Sequence, residues 1–402
     1  MIRDVAQRFT TDVPTFRKQG ARGRRTARGP RRFGPSGGRN GFRPPRAVLA
    51  AIAAALPVVT AGCGIGGGSG GNGVFVDTTV VSFGPNGTAS LKGNVGRIGE
   101  LDIVTLGPLS AGDRLIIDAQ TANSPLDVSI AVFDDQNRLV FANDDRGGPA
   151  GRFLDSYGDF IIRHDGDDYT LVVTHSAFAA RSTFTGNYDM ILTLIPDVGV
   201  PQPVAQVLLL DYAGGTIATP ALGPATLDPF NAADISLVYQ GQTAVVKASI
   251  RETVEQNFER FNVVVITSDD GPVPTGVEVS TLFIGGFNDV AFGEAESVDL
   301  YNADFCDDAI IYAESFTPSV FGDVPTADEL GVAIGNVTAH EAGHLLGLNH
   351  VDDDRALMDD QSAADVFLTD QEFMQGPLSV DVMPYGTQDA VLLLMETVGA
   401  RQ

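Results

Sequence analysis

The stretch HEAGHLLGLNH, residues 340–350, gathers three of the chain's five histidines. It constrains the fold more than any other segment does. His340 and His344 are four residues apart, so on a helix their rings stand one turn apart on the same face. That is the reach two imidazole nitrogens need to share one ion at about 2.0–2.1 Å. The preceding chain supports a helix. Thr326-Ala327-Asp328-Glu329 reads as a capping box, and no proline interrupts the run to Leu346. Glu341 is turned about 100° from His340, off the ligand face but placed to reach a water on the metal's open side. Gly347 is expected to end the helix, since glycine enters the left-handed region without penalty. The turn then lets His350 swing round to the same ion. Three neutral imidazoles with a fourth position open make a catalytic zinc arrangement rather than a closed structural one. Because the ligands must be neutral, activity is expected to fall in acid.

Charge divides the chain sharply. Residues 1–46 hold 13 Lys/Arg against two Asp, whereas residues 64–402 hold 13 Lys/Arg against 49 Asp/Glu. So acidic a body argues against nucleic acid as a partner and suits a calcium-rich exterior. Apolar residues make up 44% of the chain, enough for globular cores. Two cysteines, Cys63 and Cys306, provide no disulfide framework and no cysteine-based zinc site.

Residues 47–59, AVLAAIAAALPVV, are an apolar run too short to span a bilayer, which needs about 20 residues. Behind a basic segment the run fits a signal peptide. It ends in Val59-Thr60-Ala61-Gly62-Cys63, which resembles a bacterial lipobox, with Thr60 where that pattern prefers an aliphatic residue. The resemblance implies acylation of Cys63 and a membrane-anchored lipoprotein at the cell surface, outer membrane or periplasm. Ordinary cleavage near Ala61, giving a secreted protein, is the alternative. Arg31-Arg32-Phe33 raises a twin-arginine route. The glycine-rich stretch 64–73 reads as a tether.

Residues 74–196 alternate with period two, as in Leu126–Val132, Tyr169–Val173 and Tyr188–Leu192, and predict an antiparallel β-sandwich. The runs GELDIVTLGPLSAGDRLIIDA, LDVSIAVFDDQNRLVFANDD and GNYDMILTLIP resemble the bacterial pre-peptidase C-terminal domain family. In that family the module usually follows a catalytic domain; here it precedes one. The turn Asn143-Asp144-Asp145 is either a calcium site or a solvated turn. His164 and His175 read as ordinary loop or strand residues. Residues 197–203 form a linker. Residues 204–402 change to an α/β (α+β) pattern: strands at Gln206–Asp211, Phe261–Ile266, Val279–Ile284 and Ala309–Tyr312, and an amphipathic helix carrying Val246, Ile250, Val254 and Phe258. A last helix is expected at Gln388–Val398. The fold class is therefore multidomain, an all-β sandwich followed by a domain with a twisted mixed sheet and an active-site helix.

HExxHxxGxxH, met by His340, Glu341, His344, Gly347 and His350, resembles the signature of the metzincin zinc endopeptidases, and the likeness extends over residues 204–400. It implies a peptidase with one catalytic Zn2+ held by the three histidines, a water activated by Glu341, and a peptide substrate extended along an edge strand near Asn288–Asp299. It also implies a methionine turn beneath the metal. Arg355-Ala356-Leu357-Met358 resembles the matrixins in spacing and favours Met358. Val382-Met383-Pro384-Tyr385 resembles astacins and serralysins, making Met383 with Tyr385 the alternative. A non-catalytic surface lipoprotein with a structural zinc site is the rival function.

Overall fold

Among the described residues, segments that alternate between water and a core mostly become strands, and four stretches are α-helical. The computed structural model describes residues 75–146, 154–219, 223–360 and 363–402. The export segment 1–63 with Cys63 and the tether 64–73 lie outside the described residues.

The N-terminal half contains β1 (Phe75–Val80), β2 (Thr88–Val95), β3 (Glu100–Leu109), β4 (Arg114–Gln120), β5 (Val128–Phe133), β6 (Leu139–Asn143), β7 (Ser156–Ile161), β8 (Gly166–His175) and β9 (Gly186–Ile195). They form one sheet in the order β1-β3-β8-β5-β6 and another in the order β2-β9-β4-β7. Inward residues of both sheets, among them Val104, Leu115, Ile130, Leu171 and Leu192, share one core. All pairings are antiparallel except β1 with β3, which runs parallel. β2 intervenes and joins the other sheet, so no hairpin imposes the direction in which β1 meets β3.

The C-terminal half opens with β10 (Gln206–Asp211) and a hairpin of β11 (Gly215–Thr219) and β12 (Gly223–Leu227). The hairpin lies outside the element order expected from sequence. A short α1 (Ala232–Ile235) precedes α2 (Thr243–Asn257), which buries the predicted Val246, Ile250 and Val254. Then come β13 (Val263–Thr267), β14 (Ser280–Ile284), β15 (Gly293–Ala295) and β16 (Asp308–Ile311). The sheet order is β13-β10-β14-β16-β15; β15 alone runs antiparallel, at the edge.

The long helix α3 (Ala327–Leu345) starts at Thr326, whose side chain accepts from the Glu329 N–H while Glu329 answers the cap's own N–H. It is buried along nearly its whole length, against the sheet and against α2. Gly331 and Gly335 permit this: a Cβ at either would stand 2.8–3.0 Å from the carbonyl of Val246 or Ile250. β17 (Gln375–Pro377), β18 (Thr387–Asp389) and α4 (Ala390–Thr397) close the chain.

Candidate metal centre

α3 fixes the first two ligand candidates as the spacing requires. His340 and His344 are each 1% exposed, and their Nε2 atoms are 3.1 Å apart. Gly347 leaves the helix at φ 95°, and a Cβ there would stand 2.9 Å from Leu300 and Tyr301 backbone atoms, so both conformation and space demand glycine. Past that turn, His350 Nε2 reaches 3.3 Å from His340 Nε2 and 3.2 Å from His344 Nε2.

Backbone carbonyls set which nitrogen of two rings bears the proton. His340 Nδ1 lies 2.7 Å from Leu357 O, and His344 Nδ1 lies 2.7 Å from Leu348 O. A carbonyl only accepts, so each Nδ1 carries the proton and each Nε2 of a neutral ring presents a lone pair. Lone pairs facing each other at 3.1 Å repel unless a cation lies between them. Tetrahedral ligands about 2.05 Å from zinc would stand about 3.3 Å apart, so the donor set fits that ion in chemistry and spacing. Among the described residues these three histidines are the group able to hold a metal.

Glu341 is 1% exposed and outside the ligand cluster. Its carboxylate lies against the edge strand: a Cβ on Gly293 of β15 would meet Glu341 Cγ and Cδ at 2.7 Å. Sequence reading passed over Gly293. The only available signal was a glycine inside the expected edge-strand segment, a mark of close approach. Tyr312, which donates to Glu294 of the same strand at 2.8 Å, has its hydroxyl pushed up from the usual phenol value by burial, then by the charges of Glu294 and Glu341.

The two methionine candidates separate. Met358 is buried with its sulfur against α3, 2.6 Å from where a Gly343 Cβ would stand, and its carbonyl accepts from Val351 N–H. Met383 is buried elsewhere, among Leu101, Phe133, Leu139, Val172 and Leu378. Tyr385 donates to Asn137 Oδ1 at 2.6 Å, in the N-terminal half. Cys306 is free and exposed.

Comparison with known proteins adds a segment match. Residues 278–369, which include all three histidines and Met358, match the family model described as Matrixin. That segment is matrixin-like. No curated protein matches the chain. Among solved structures, archaemetzincin from Methanopyrus kandleri is 14% identical over 42% of this chain and 87% of that one, with a TM-score of 0.24. The pre-peptidase C-terminal domain of collagenase from Bacillus anthracis is 12% identical over 31% of this chain and 100% of that one, TM-score 0.22. PliG from Aeromonas hydrophila, a periplasmic inhibitor of g-type lysozyme, is 16% identical over 31% and 100%, TM-score 0.25.

Proposed function

We propose that residues 204–402 act as a zinc-dependent endopeptidase on an exported chain. The observation that carries this reading is the convergence of three buried Nε2 atoms at 3.1–3.3 Å, two of them with the proton fixed on Nδ1 and the lone pair turned inward, and Glu341 next to His340 in the chain. When bound by His340, His344 and His350, zinc supplies Lewis acidity, polarising a carbonyl and bringing a coordinated water toward a pKa of about 7. Glu341 takes the proton of the attacking water and hands it to the leaving amine, base first and acid second. β15, last in its sheet, offers an open edge for an extended peptide to pair with. Gly293 lets that strand pass close to the Glu341 carboxylate. Met358 forms the floor beneath the ligands. The N-terminal half is a sandwich of pre-peptidase C-terminal type, and Cys63 carries a lipid anchor.

The test is zinc content together with cleavage of an unfolded protein such as casein, with and without chelator. Glu341→Ala should keep its zinc and lose cleavage. A zinc-loaded wild type that cleaves no peptide would instead point to a structural site. Palmitate labelling that disappears in Cys63→Ser tests the anchor.

A further inference from the structure

A single helix sets the separation of His340 and His344. His350 lies beyond that helix, on a turn whose direction must be fixed by something else. Gln388 bonds the residue just before His350. Its side chain is fully buried; its Oε1 accepts from the Asn349 N–H at 2.7 Å and its Nε2 donates to the Asn349 carbonyl at 2.7 Å. One primary amide thus satisfies both backbone groups of the residue just before the third ligand, and a flipped amide would set donor against donor. The same segment holds the other side of the turn. Ser379 N–H donates to the His350 carbonyl at 3.1 Å, and Asp352 N–H to Pro377 O at 2.9 Å.

That segment is gripped in turn by the N-terminal half. Thr387, next to Gln388, donates its N–H to Asn137 O at 2.9 Å, and Tyr385 donates to the Asn137 side chain. The Tyr385 ring meets Phe133 edge-on at 5.0 Å. Between them Gly386 has φ 76°, and a Cβ there would sit 2.7 Å from a Phe133 ring carbon. A continuous set of contacts therefore runs from Asn137, between β5 and β6, through 385–388 to Asn349.

We propose that Gln388 is a positioning residue for the third metal ligand, and that the N-terminal half sets its place through Asn137. The proposal rests on the reading of the three histidines as zinc ligands. Partners of this outer kind change metal affinity by about 10–100-fold.

The experiment uses the full chain, with Co2+ as a spectroscopic probe and Zn2+ release to a chelator as the rate. Gln388→Met, which removes both amide bonds, should release Zn2+ about 10–100-fold faster and move the visible Co2+ bands. Gln388→Glu should do the same, because an oxygen would then face the Asn349 carbonyl. Asn137→Gly keeps the positive φ of 57° found there but removes the side-chain acceptor, and should shift the bands less in the same sense. Gln375→Met, whose amide bonds the Thr387 hydroxyl, should match wild type. Wild-type release and bands in Gln388→Met would overturn the proposal, and where that variant does not fold the same values in Gln388→Glu would do so. A wild type that binds neither metal defeats the zinc reading itself, a different result from one that binds and is indifferent to Gln388.

Discussion

Two imidazole environments in this molecule differ in one respect that decides their use. At the candidate metal centre, His340 and His344 point Nδ1 at backbone carbonyls, which fix the proton there and turn Nε2 inward. His164, in the loop after β7, points both nitrogens at carboxylates: Nε2 at Asp134 and Nδ1 at Glu396 of α4, each at 3.1 Å. The hydrogen bond to Asp134, then that to Glu396, raises His164 to about 9 despite its partial burial. Asp134, which burial alone would push up, is brought down to about 2 by His164 and Arg138. One histidine environment is built for lone pairs, the other for a cation that ties the two halves together. Partner chemistry makes the difference: carbonyls only accept and carry no charge, whereas carboxylates stabilise the protonated ring.

The largest effect should come from breaking the lone-pair side. His344→Ala should leave the protein unable to retain zinc through dialysis, and zinc retained at wild-type stoichiometry would refute the ligand assignment. Glu341→Ala should keep zinc while casein cleavage falls about 10²–10⁴-fold. Gly293→Ala sharpens the same region, because its Cβ must displace the Glu341 carboxylate. Cleavage should fall up to about 100-fold with zinc content unchanged; a variant as active as wild type would show that the carboxylate's place is not critical.

The cationic side is tested by pH. The folded His164 value of about 9 lies above the ordinary 6.5, so its stabilisation is fully present below about 6.5 and is lost as pH rises through about 9. His164→Gln should therefore lower the melting temperature by several degrees at pH 6 and by much less at pH 10. An equal loss at both would mean that packing, not charge, holds this contact. The smallest effect is expected at Asp145, pushed up to about 7 by burial and by the charges of Asp144 and Asp127. A carboxyl raised in the fold costs stability progressively as pH rises from about 3.8 to about 7, and the cost is complete above that. Asp145→Asn should thus raise the melting temperature slightly at pH 8 without added divalent ion, by less at pH 5 and not at all at pH 3. No gain at pH 8 would remove the crowding argument.

Much of the helix that carries His340 and His344 was legible locally. Thr326 and Glu329 announce its start, four-residue spacing aligns His340 with His344, and Gly347 announces its end. The buried face of α2 was equally clear from Val246, Ile250 and Val254. His164 read as an ordinary loop residue because one of its partners, Glu396, is 232 residues away in the chain. The β11–β12 hairpin was missed in a stretch rich in glycine and proline that reads as loop.

The sequence by itself determined the donors, their spacing and the turn between them, because these follow from interactions within one or two turns of chain. Tertiary structure alone decided which methionine lies against α3, since Met358 and Met383 both stand at plausible distances along the chain and only packing separates them. It also decided that Gly293 must have no side chain and that Gln388 clasps Asn349 across 39 residues. Contacts of that range leave no periodic or spacing signal. They exist only once the sheet, the helix and the two halves are packed together.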